Sequence, residues 1–121
     1  MLRRMLVIPA ALLMLAGALS GAPAGRLSPK EIQATFFTGE PFTAATPANV
    51  KFKMVFTPDG KMTREPLSKS GTKFEGTWKL SQDGFCSTWK GSKQNCYRVQ
   101  TSGENKWAVI VSTQAVAYWS K

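Results

Sequence analysis

From residue 50 to residue 120, apolar and polar side chains alternate in short runs separated by Gly-, Asp- and Ser-containing breaks. This is the pattern of antiparallel strands with one buried face. The first run is Val50-Lys51-Phe52-Lys53-Met54-Val55-Phe56. Pro58-Asp59-Gly60 then forms a turn with Gly60 in the left-handed position of a three-residue hairpin loop, setting Phe56 opposite Met62 and Met54 opposite Arg64. A second strand runs from Lys61 to Leu67 and is broken by Ser68-Lys69-Ser70-Gly71-Thr72. In the third, Phe74, Gly76, Trp78 and Leu80 form the inward set, and Glu75, Thr77 and Lys79 face out. Asp83-Gly84 reads as a two-residue hairpin turn, and counting back from it pairs Trp78 with Trp89 and Leu80 with Ser87. The face shared by Trp78, Phe85, Trp89 and Tyr97 is then the core.

Residues Phe85 to Tyr97 form two strands folded about Gly91, with Cys86 and Cys96, the only cysteines, equidistant from it. Directly opposed residues of an antiparallel pair lie close enough for a disulfide. A Cys86–Cys96 bond would sit on the outward face with Thr88, Lys90 and Arg98, as an external strap. Ser102-Gly103-Glu104-Asn105 precedes two last strands, Lys106 to Ser112 and Ala115 to Ser120. One bulged residue in that turn points Trp107, Val109 and Val111 inward, the arrangement preferred because it buries them.

Upstream, Ser28 caps a helix over about 28–38, Pro29 occupies its first position and Glu31 completes a capping box. Leu27 and Ile32 form a staple across that cap, Ile32 and Phe36 share one face, and Gly39 and Pro41 end the helix. Residues 41–49, rich in Pro, Thr and Ala, suit a connection or an irregular edge strand. The expected fold is mainly β: an antiparallel meander of about seven strands curled into a small barrel or half-barrel, with one short N-terminal helix over an open end or the concave face.

The first residues stand apart from this pattern. Arg3 and Arg4, the apolar run Met5 to Leu19 and Ala22-Pro23-Ala24 form a secretory signal peptide over residues 1–24, cleaved after Ala22 or Ala24. Residues 25–121 are then a single small domain in the periplasm or secreted, where a disulfide persists. Without Arg3 and Arg4, 14 basic residues face 7 acidic ones, a net charge near +7. Lys51, Lys53, Lys73, Lys79, Lys90, Lys93, Arg98 and Lys106 fall on outward positions and loops. Such a surface attracts acidic lipid head groups, polysaccharides or nucleic acid.

Catalytic chemistry is sparse. The chain has no histidine, and both cysteines serve each other, so the commonest general base, metal ligand and free nucleophile are missing. No metal or cofactor motif is present. Glu65 and Glu75, expected nearly opposite each other across the Ser70 loop, are the only candidate carboxylate pair. Arg64 shares a face with Met54, Met62 and Trp78, opposite Gly76, where it could grip a carboxylate or phosphate at a barrel mouth. Alternatively Pro66 forces a bulge that turns Arg64 to solvent. The candidate binding residues are Arg64, Trp78, Trp89, Lys90 and Lys93.

The capped Leu-Ser-Pro-Lys-Glu-Ile helix with Gly39, Phe-Thr-Pro-Asp-Gly at 56–60, Gly-Thr-Trp at 76–78, Asp-Gly-Phe-Cys-Ser-Thr-Trp at 83–89 and Asn-Cys-Tyr at 95–97 occur in a telling order. The chain resembles small exported proteins of unknown function from Gram-negative bacteria, which implies a signal peptide, a short helix and a disulfide-strapped meander but no active site. A weaker likeness, of architecture alone, is to periplasmic lysozyme inhibitors. The leading expectation is a non-enzymatic binding protein of the bacterial envelope, whose partner is an acidic lipid, a polysaccharide or an envelope protein. The alternative is an inhibitor that inserts Lys90-Gly91-Ser92-Lys93 into a hydrolase such as lysozyme. A small hydrolase using Glu65 and Glu75 ranks last.

Overall fold

A computed structural model describes residues 25–68 and 71–121; the signal peptide read over residues 1–24 lies outside the described residues. Helix α1 (Pro29–Phe36) starts on the expected capping box, with the Ser28 hydroxyl accepting from the Glu31 N–H at 3.1 Å and the Glu31 carboxylate accepting from the Ser28 N–H at 2.7 Å. Leu27, Ile32 and Phe36 are buried, as a staple and a docked face require. The helix ends at Phe36 rather than near Thr38, because Phe37 caps it and turns its ring into the core. Gly39, at φ 93°, then bends the chain back so that its N–H donates to the Phe56 carbonyl at 2.8 Å.

Eight strands follow: β1 (Phe42–Ala45), β2 (Lys51–Phe56), β3 (Lys61–Pro66), β4 (Phe74–Leu80), β5 (Phe85–Trp89), β6 (Gln94–Gly103), β7 (Lys106–Val111) and β8 (Gln114–Ser120). Each pairs antiparallel with the next, and β8 pairs back onto β1, closing the barrel. The strand beyond the seven expected is β1. Its four residues, between Pro41 and Pro47, are too few to show a clear period, yet Phe42 and Ala44 are buried and its ladder with β8 abolishes both sheet edges.

The β2–β3 hairpin has the expected register, Phe56 opposite Met62 and Met54 opposite Arg64. In its turn the Thr57 hydroxyl donates to the exposed Asp59 carboxylate, the main reason that carboxyl is held below its ordinary range. The β4–β5 register differs by two residues from the sequence count: Trp78 faces Ser87, Leu80 faces Phe85 and Gly76 faces Trp89. Gln82-Asp83, not Asp83-Gly84, is the centre of the turn, with the Ser81 N–H donating to the Gly84 carbonyl at 2.9 Å. Gly84 has a different task, since a Cβ there would stand 2.0 Å from the Tyr97 carbonyl oxygen. A two-residue offset keeps every side chain on its expected face.

The β3–β4 ladder is likewise offset, with Arg64 opposite Phe74 and Met62 opposite Gly76. A Cβ on Gly76 would stand 2.5 Å from the Thr88 carbonyl oxygen and 2.7 Å from the Met62 methyl, so the glycine is required by the close approach of the β5 backbone and of a core methionine rather than by Arg64. In the last hairpins, an irregularity between Thr101 and Gly103 brings Trp107 and Val109 inward as expected. Val111, expected inward, instead stands 38% exposed as the last residue of β7 beside the turn to β8; the second irregularity, opposite Val109 and Ile110, is an extra residue in β8.

The core is aromatic. Phe36 packs edge-on against Phe42, Trp107 and Trp119 with centroids 4.8–5.0 Å apart. Phe37 stacks on Phe56 at 4.7 Å and lies against Trp78 at 4.4 Å. These two rings carry the helix into one end of the barrel and plug it.

Cys86 and Cys96 are bonded directly across the β5–β6 ladder. The strap is external only on one side: Cys96 is exposed, whereas Cys86 is 4% exposed. The double variant Cys86→Ala/Cys96→Ala is expected to keep the fold and lose about 2–3 kcal/mol, the chain-entropy value for so short a loop. Thermal melts followed by circular dichroism, with and without reductant, check this; identical midpoints would show that the bond contributes nothing.

Candidate functional site

The helix fills one end of the barrel only. The other end is ringed by the loops after β1, β3, β5 and β7, and between them opens a cavity of about 210 Å³. Its walls are Phe52, Met54, Phe56, Phe85, Trp89, Tyr97 and Trp119, and its polar groups include Arg64 and the buried Ser87. Eight-stranded barrels have interiors of this scale, filled by side chains or holding one small ligand.

Arg64 reaches this cavity because β2 and β3 pair without interruption from Phe56–Met62 to Phe52–Pro66. Pro66 occupies the last position of the strand, and no bulge turns Arg64 to solvent. The guanidinium carbon lies 4.6 Å from the Trp89 ring centroid, 4.9 Å from Phe74 and 5.2 Å from Phe52. Each such contact contributes about 0.5–1 kcal/mol at exposed sites and about 2 when desolvated. The Arg64 Nε is buried without a hydrogen-bond partner. Burial pushes the guanidinium down from its ordinary pKa, opposed by its interaction with Tyr97, yet an arginine stays charged at neutral pH.

No carboxylate neutralises that charge. Among the described residues the one ion pair joins Lys53 and Glu65 at 3.1 Å on the outer wall. A cation set among aromatic faces, short of a partner and open towards solvent through a cavity, is suited to an anion from outside the chain.

The other sequence-derived candidates separate. Trp89 belongs to the Arg64 cluster. Trp78 does not: its indole N–H donates to the Thr57 carbonyl at 2.9 Å and its ring packs on Phe37, at the plugged end. Lys90 and Lys93 flank Gly91 in an exposed loop on the open rim, outside the cavity lining. Arg98, counted with the exterior cations, is half-buried and tied to the Ser112 carbonyl. Glu75 lies opposite Thr63 and therefore diagonal to Glu65 rather than facing it, and Glu65 is engaged by Lys53. Among the described residues, no three His, Cys, Asp or Glu side chains gather as a metal site, and no helix is long and apolar enough to cross a membrane.

Phe52, Phe74, Ser87 and Tyr97 complete the site without having been singled out from sequence. Their signal was available as the inward parity they share with Arg64. What parity omits is height along the barrel, which decides whether an inward residue meets the plug or the cavity. Compared with known proteins, the chain matches no family model, no curated protein and no solved structure.

Proposed function

We propose that this chain is an exported, non-enzymatic binding protein of the bacterial envelope whose open barrel end takes a compact organic anion. The anionic head, a carboxylate or phosphate, pairs with Arg64, and the apolar body lies against the aromatic walls. The carrying observation is the Arg64 guanidinium, held by three rings with its Nε buried and unpartnered. Export is supported by the signal-peptide pattern, by a disulfide that persists in oxidising compartments, and by the resemblance to exported Gram-negative proteins.

Cavity size narrows the ligand. A void of about 150 Å³ takes benzene, and drug-sized ligands occupy roughly 300–1,000 Å³. The 210 Å³ here therefore suits a body little larger than one ring. Calorimetric titrations with benzoate, phenyl phosphate and hexanoate are expected to show saturable binding, with benzamide much weaker. Arg64→Gln should weaken the anions about thirtyfold, the effect of losing about 2 kcal/mol of charge-assisted hydrogen bonding. If no anion binds better than benzamide, the proposal fails.

A further inference from the structure

The same end of the barrel carries a second feature, on its rim rather than in its cavity. Val50, Leu67 and Phe74 stand 52%, 56% and 42% exposed, and Leu67 and Val50 are the two most exposed large apolar residues among those described. Val50 sits in the loop before β2, Leu67 directly follows β3 and Phe74 opens β4, so all three project from the loops that ring the open end. Scattered apolar exposure needs no explanation. Exposure gathered on one rim does.

Charge is distributed along the same axis. The connections at the plugged end each carry an acid: Glu40 before β1, Asp59 before β3, Asp83 before β5 and Glu104 before β7. The loops of the open end carry none, and Lys51, Lys73, Lys90 and Lys93 lie on or beside them, all exposed. The remaining strand glutamates, Glu65 and Glu75, lie on the outer wall, and Glu65 is paired with Lys53. The rim is thus positive and apolar-tipped, whereas at the plugged end Lys61 and Lys106, which open β3 and β7, stand beside the acids and offset them.

We infer that this rim docks on an anionic lipid bilayer. Two signals are combined as reversible membrane attachment requires, shallow insertion of apolar side chains and attraction of lysines to acidic head groups. The complement of the lysines is a plane of negative charge, and the complement of the rim tips is the acyl boundary beneath it. Docking in this pose turns the cavity towards the lipid. It stands independently of the Arg64 ligand, because none of the rim tips Val50 and Leu67 or the rim lysines is needed to pair with that anion.

Co-sedimentation of the exported protein with vesicles tests it. Vesicles containing phosphatidylglycerol are expected to bind at least tenfold more protein than pure phosphatidylcholine, with the difference shrinking as salt rises. Val50→Ser/Leu67→Ser should reduce binding to the anionic vesicles about tenfold, and Lys73→Glu/Lys93→Glu should remove the preference for them. Lys30→Glu, a change on the exposed side of the helix that plugs the opposite end, should leave docking unchanged. Since any leader segment is common to all these variants, the comparison isolates the rim; melting curves confirm that each is folded. Equal sedimentation with both vesicle types, or rim variants that bind like the wild type, would overturn the inference. So would vesicle-free self-association that the rim variants abolish, which would make a second copy of the chain the occupant.

Discussion

Phe37→Ala is expected to destabilise the chain by about 3–5 kcal/mol, the range for truncating a fully buried phenylalanine. The ring is 1% exposed, stacked at 4.7 Å on Phe56, 4.4 Å from Trp78 and 5.4 Å from Phe85, so its removal opens a void that three strands and the helix share. A domain of this size has a total stability of about 5–15 kcal/mol. The loss is therefore a large fraction of the whole, and the melting midpoint should fall by more than about 12 °C at about 4 °C or more per kcal/mol. Phe37→Leu, which keeps most of the volume, should cost about 1.5 kcal/mol or less. Urea and thermal unfolding of both variants check this. An alanine variant as stable as the wild type would mean that the helix does not plug the barrel.

Gly84→Ala carries the second large effect, and for a different reason. The added Cβ would stand 2.0 Å from the Tyr97 carbonyl oxygen and 3.2 Å from the Arg98 Cα. Both obstacles are backbone, so no rotamer change relieves them; either β6 or the turn between β4 and β5 must move. An expected loss of about 2–4 kcal/mol follows from overpacking at a site unable to yield. Gly91→Ala is the comparison, since nothing lies within 4 Å of its Cβ position and only its φ of 84° opposes a side chain. That variant should lose about 1–2 kcal/mol. Equal losses in the two variants would show that the contact with Tyr97 relaxes freely.

What could be read from the sequence was the local chemistry. The capping box at Ser28 and Glu31, the turn at Gly60 and the facing of Cys86 and Cys96 each depend on residues close in the chain, and the structure bears them out. Gly84 misled because a glycine required by a distant strand looks the same as one required by a turn. Gly76 did so too, making room for the Thr88 carbonyl and Met62 rather than for Arg64. The limits are clearest in Trp78 and Trp89, which sit in the same Thr-Trp-Lys spelling and on the same inward face. One packs on the helix plug and the other on Arg64, because the β4–β5 register sets Trp89 opposite Gly76 and leaves Trp78 two residues nearer the plugged end. The candidate site was thus half-visible, its face readable from alternation and its membership fixed only by closure through β1.

The most direct test of the anion site is the Arg64 side-chain N–H itself. Its Nε proton, buried and unpartnered in the structure, can be followed in a proton–nitrogen correlation spectrum as benzoate or benzamide is added. A saturating shift and slowed exchange of the Arg64 Nε–H are expected with benzoate, and little change with benzamide. An Nε–H that ignores benzoate while the anion binds elsewhere would contradict it.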